Sequence, residues 1–205
     1  MKRLKTPLRA SRLSNELPIG LRLLTTILIV ASFTAMSQTN EPPKKGPAEV
    51  MRELRLKMLT TRPEELGQKP TQEYPRVYGI LMDWPIETGT VSVVSLSSGD
   101  ASLYTTGTFG VIGGIGHETV RGAAQSFVQI AEKHYYDASP TKDYPYPKPG
   151  RVRFYFVCYD GVRTIETDLE TLKNSRDKCS DLYVAGQRVI AELRLITRSQ
   201  KEEKP

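Results

Sequence analysis

Between Arg151 and Tyr159 the chain reads Arg-Val-Arg-Phe-Tyr-Phe-Val-Cys-Tyr, a run in which both alternating faces carry apolar side chains. Val152, Phe154, Phe156 and Cys158 fall on one side of such a strand, and Tyr155, Val157 and Tyr159 on the other. A strand with two faces to hide suits the middle of a sheet covered above and below. Asp160-Gly161 follows as the two-residue signal of a type I′ hairpin, leading into a second strand over Val162 to Thr167. That second strand is short and reads as a sheet edge open to pairing with a partner.

Upstream, three short runs, Val77 to Met82, Val91 to Leu96 and Ala101 to Thr106, are separated by Gly89 and by Ser98-Gly99-Asp100 and read as a meander. From His117 the residues Val120, Ala123, Ala124, Phe127 and Ala131 recur at helical spacing, and from Ser180 so do Leu182, Ala185, Val189, Ile190, Leu193 and Ile196. Pro47 opens a further helix to about Leu59, with Val50, Leu54 and Met58 on one stripe. The expected fold is α+β, one domain over 76–197. Its five-stranded, mainly antiparallel sheet is built as three-strand meander, helix, hairpin and helix, with a helical arm and linker at 48–75 and a polar tail at 198–205.

The first 37 residues differ in kind. Lys2, Arg3, Lys5, Arg9, Arg12 and Arg22 oppose the single Glu16, and an apolar run from Leu23 to Ala35 ends in Ala35-Met36-Ser37. This order reads as an export signal cut before Gln38, too short for a spanning helix of about 20 apolar residues. It implies an exported or membrane-attached protein that meets the membrane only through this leader. The alternative is a cytoplasmic chain whose true start is Met36. Residues 38–47 are polar and proline-rich and read as a flexible tether.

Without the leader's six basic residues and one acidic residue, 23 basic side chains stand against 22 acidic ones, so the basic excess belongs to the leader. With no clustered basic face, nucleic acid is not an expected partner. Cys158 and Cys179 lack metal-ligand spacing, which argues against zinc; they form either a disulfide or two separate thiols.

The best ligand-site candidate is the glycine-rich segment 107–117. There Gly113, Gly114, Gly116 and His117 lead into a helix whose free amides and dipole suit a phosphate or another anion. It lacks the dinucleotide fingerprint's strand context and any Walker lysine. His117-Glu118 is no zinc-protease start, because position 121 is Arg121. His134 lies about 25 Å farther along the same helix at roughly 1.5 Å per residue. No serine has a Gly-x-Ser-x-Gly setting. Asp83, Glu118, Asp160 and Asp181 occupy positions along the elements that, in a ribonuclease H-like fold, would gather around two magnesium ions. Asp160 and Asp181 are also explained by their turn and helix start. The only tryptophan, Trp84, reads as core closure, and Tyr144-Pro145-Tyr146-Pro147-Lys148-Pro149 as a stiff surface spacer.

At Tyr78-Gly79-Ile80-Leu81-Met82-Asp83-Trp84-Pro85, Gly113-Gly114-Ile115-Gly116-His117 and Tyr159-Asp160-Gly161-Val162-Arg163-Thr164 the chain resembles an uncharacterised bacterial protein family. In element order it is also broadly similar to profilin-like, roadblock and longin domains, which implies an interaction platform. The reading is thus a non-catalytic domain without cofactor or metal, acting by binding a protein partner or by homo-oligomerisation. Its rival is an anion-binding or enzyme site at Gly113 to His117. The export reading predicts an endogenous chain whose intact mass begins at Gln38. A mass beginning at Met36 or Ser37 would replace it with the cytoplasmic reading.

Overall fold

Seven antiparallel strands form one sheet in the computed structural model, which describes residues 45–202. The leader, its cleavage point before Gln38 and the tether up to residue 44 lie outside the described residues. In chain order the strands are β1 (Val77–Ile86), β2 (Gly89–Leu96), β3 (Ala101–Thr105), β4 (Gly110–Val111), β5 (Ser139–Thr141), β6 (Arg151–Cys158) and β7 (Gly161–Asp168). Their spatial order is β4-β3-β2-β1-β6-β7-β5. The helices are α1 (Pro47–Thr60), α2 (Glu118–Lys133), α3 (Leu169–Lys173) and α4 (Ser180–Glu202).

The fold is α+β, but the expectation of five strands is corrected by β4, which arises in the glycine-rich segment, and by β5, which arises just before the proline-rich spacer. Strands of two and three residues are too short to show alternation, so no periodicity could reveal them. Each exists because a longer neighbour offers it a ladder: β4 pairs with Leu103 and Tyr104, and β5 with Val162 to Thr164. β5 covers the β6–β7 hairpin only along Val162 to Thr164, and residues 165–168 of β7 have no strand outside them among the described residues. The two outermost strands are very short and one holds Pro140, devices that blunt strand addition where they lie.

α2 and α4 cover one face of the sheet. Beneath them lie Ile80, Met82, Val91, Val93, Leu103, Val152, Phe154 and Phe156, packed with Val120, Phe127, Leu182, Val189 and Leu193. Small residues on α2 let the layers approach closely. On α4, a Cβ at Gly186 would stand 2.6 Å from the Met82 methyl carbon, so a larger residue there would have to displace the end of the Met82 side chain.

α1 covers the opposite face over Tyr78, Leu81, Val94, Tyr104, Tyr155 and Val157. A register shift between Val77 and Gly79 sets this arrangement. Such a bulge inserts one residue, so Tyr78 joins Leu81 and Asp83 on the α1 face while Val77 joins Ile80 and Met82 opposite. The α1 stripe is also turned from its expected centre. Arg55 and Leu59 are its buried residues, whereas Val50, Leu54 and Met58 are only partly covered.

Arg55 is buried because Asp83 lies beneath it. Ser92, Asp83, Arg153 and Glu166 stand opposite one another in register across β2, β1, β6 and β7, making a polar row on an otherwise apolar face. Asp83 is completely inaccessible to water. Its carboxylate accepts from Arg55 Nε at 3.1 Å and 3.2 Å, from Arg55 Nη2 at 2.5 Å and from Ser92 Oγ at 2.5 Å. Burial pushes the Asp83 carboxyl above its ordinary range, against the pull of Arg55 and Ser92. The remaining Arg55 donor reaches the Tyr144 carbonyl at 3.0 Å, and the guanidinium carbon lies 4.3 Å from the Tyr146 ring centre.

Removing one member of a buried pair leaves the other uncompensated, which costs about 3–5 kcal/mol. Arg55→Ala is expected to destabilise the domain by about that amount in urea unfolding. The double replacement Arg55→Met with Asp83→Leu should recover most of it, because no buried charge is then orphaned.

Candidate functional site

α1 stops at Thr60 because Thr61 is extended and Arg62 precedes a proline, a position where helical backbone is disfavoured. The chain then makes a short turn, Pro63–Leu66, closed by Gly67 in the left-handed region. This bend forms one wall of a cleft of about 720 Å³. The opposite wall is β5 with Lys142 and Tyr144, the floor is Tyr78, Val157 and Tyr159, and the β6–β7 turn closes one end with Asp160, Gly161 and Val162.

The floor is aromatic. The Tyr78 and Tyr159 rings lie 5.1 Å apart at 41°, and burial raises both phenols above their ordinary range. Tyr78 donates to the Thr61 carbonyl at 3.3 Å, which ties the floor to the end of α1. The Tyr159 hydroxyl, by contrast, is buried and has no partner. A buried hydroxyl is ordinarily satisfied, so this one marks a place where a bound group would complete the structure. At the rim Lys142 is exposed and forms no ion pair among the described residues. The proline-rich segment after β5 acts as a strap: Tyr155 donates to the Pro145 carbonyl at 2.6 Å, and the Tyr144 ring meets Tyr155 edge-on at 5.9 Å.

Two glycines of the glycine-rich loop have conformational and packing roles. Gly113 has φ of +90°, which calls for glycine. Gly114 is buried where a Cβ would stand 2.6 Å from Val120 and 3.0 Å from Leu193. These glycines thus serve a turn and a close approach to α2 and α4. Gly116 and His117 are exposed, and the His117 amide is already spent on the Gly114 carbonyl at 3.1 Å. Neither the cleft above nor the second cleft described below is lined by Gly113, Gly114, Gly116 or His117.

The four carboxylates are not brought together. Asp83 is sealed beneath α1, and Glu118 is exposed at the start of α2. Asp160 accepts from Tyr135 Oη at 2.6 Å, which holds its carboxyl below the ordinary range. Asp181, on α4 and hence across the sheet from Asp83, meets His134 Nε2 at 2.9 Å, and Asp137 meets the other ring nitrogen at 3.0 Å. Among the described residues no three His, Cys, Asp or Glu side chains gather as metal ligands. Trp84 is half-buried against the core, as a core-closing residue would be.

Cys158 and Cys179 are free and buried on the α2–α4 side of the sheet. The cleft and Arg55 both escaped sequence reading. The one available signal was an arginine at four-residue spacing between Met51 and Leu59.

Burial pushes each thiol from an ordinary value of 9.0 to about 12. The folded chain therefore holds these protons more tightly than the unfolded one. The stability this contributes is intact below pH 9 and is lost as pH rises from about 9 to about 12. Unfolding free energy measured across that window should fall, and a thiol reagent at neutral pH should label neither cysteine until the chain is unfolded. Among the described residues no helix is long and apolar enough to cross a membrane. No family model, no curated protein and no solved structure matches the chain.

Proposed function

We propose that this is a non-catalytic interaction domain whose tyrosine-floored cleft grips an extended segment of a partner protein. The observation that carries this reading is that Tyr159, whose buried hydroxyl has no partner, lines an open cleft of about 720 Å³. Its size lies within the roughly 300–1,000 Å³ of ligand-binding clefts, and its mix of apolar floor and few polar groups is theirs too. An apolar or aromatic side chain of the partner fills the space over Tyr78 and Val157, a partner carbonyl accepts from Tyr159, and an acidic group meets Lys142. Cys158, which borders the cleft, points its thiol toward the core on the other face and keeps its proton at neutral pH, so it offers no nucleophile here.

Random-peptide display against the full chain tests the proposal. Tyr159→Phe removes a hydroxyl that has no partner in the fold, so stability should be unchanged while selected binders lose about five- to ten-fold in affinity, the worth of one buried hydrogen bond. Val162→Asp, at the closed end, should weaken them by at least about ten-fold. Binders indifferent to both substitutions, with amide shifts falling away from residues 60–64 and 157–162, would overturn the reading.

A further inference from the structure

A second cleft, of about 810 Å³, opens where β1 ends, and it is walled by Trp84, Pro85, Ile86, Pro147, Pro149 and Leu169. It shares no lining residue with the tyrosine cleft. Two of its groups are incomplete. The Trp84 indole nitrogen is buried and donates to nothing. An indole N–H is a donor only, so it asks for an acceptor and rejects a second donor. At the rim, Lys173 is neutralised by Glu170 at 2.9 Å, whereas Glu87 in the β1–β2 turn is exposed and forms no ion pair among the described residues. The lining of the cleft thus contains one unpaired hydrogen-bond donor, covered in the free protein, and one unpaired negative charge at the rim, between rigid, flat, apolar walls.

We propose that this cleft binds a proline-rich segment of a partner protein in the polyproline II conformation, with one backbone carbonyl accepting from Trp84 and a neighbouring Lys or Arg meeting Glu87. The chemistry of such a segment matches what the cleft lacks. Polyproline II has no internal hydrogen bonds, so its carbonyls point outward unsatisfied, and prolines bring no N–H to compete with the indole. Pyrrolidine rings pack flat against Trp84 and the prolines of the strap. Because the segment is stiff before it binds, little conformational entropy is lost when it docks. The basic residue follows from Glu87, the one charged residue of the lining that forms no ion pair among the described residues.

Since Trp84 is the only tryptophan, the ¹⁵N-labelled full chain has a single indole N–H signal, which reports this site alone. Three capped hexapeptides serve as probes: Pro-Pro-Pro-Lys-Pro-Pro, the same peptide with Glu for Lys, and Gly-Ser-Gly-Lys-Ser-Gly. The expected result is a saturable downfield shift of the indole signal with the lysine–proline peptide. Binding should be about five-fold weaker or more with the glutamate peptide, and the flexible peptide should leave the signal still. Glu87→Gln, at an exposed turn, should erase the difference between the two proline peptides and leave their indole shifts in place. An indole signal unmoved by the lysine–proline peptide, or moved equally by all three, would overturn the proposal.

Discussion

Asp83 sits in the middle of the central strand with no access to water, and a lone carboxylate there would be among the most costly groups a small domain could bury. Arg55 answers it from a separate element. The guanidinium uses its fork on the carboxylate, spends another donor on the Tyr144 carbonyl and lays its face against Tyr146. One side chain therefore ties two things to the central strand: α1, which carries it, and the strap, which it reaches through the Tyr144 carbonyl and the Tyr146 ring. Hydrophobic contacts supply most of the burial on this face, but they are interchangeable by comparison. The pair gives the layer a single register.

The strap between β5 and β6 follows from the same arrangement. Read from composition, four prolines between residues 140 and 149 describe a spacer. In the fold their stiffness has another effect, because a segment with few conformations to lose can be held by few contacts. Tyr155 and Arg55 suffice to pin it. Its first half then walls the tyrosine cleft, and its second half walls the tryptophan cleft. A flexible segment in this place would leave both clefts without a defined side.

Long, strongly patterned elements were legible from sequence alone. The meander, the β6–β7 hairpin, α2 and α4 follow from alternation, helical spacing, Asp160-Gly161 and the start at Ser180. What escaped was set by distant partners. β4 and β5 are strands only because Leu103 to Tyr104 and Val162 to Thr164 offer them ladders. Arg55 broke the apolar stripe of α1, so the stripe was drawn through Val50, Leu54 and Met58 instead. The carboxylates follow the order of the elements, but chain order does not tell which lie on the same face: Asp83 points under α1, whereas Asp181 belongs to α4 on the opposite side of the sheet. The glycine loop drew notice for its composition, yet Gly114 is there for packing against Val120 and Leu193.

The burial of Arg55 changes where this domain can be said to begin. A fragment opening at Tyr74 would contain every strand and all of the α2–α4 layer, and by secondary structure it would pass for a complete domain. It would nonetheless carry a central strand whose carboxylate had lost its counter-charge, under a face stripped of its cover. The arm and Asp83 are thus a single structural unit. Natural chains that lack the helix should also lack the acid at this position, and a boundary drawn through residues 61–75 would divide a core rather than a linker.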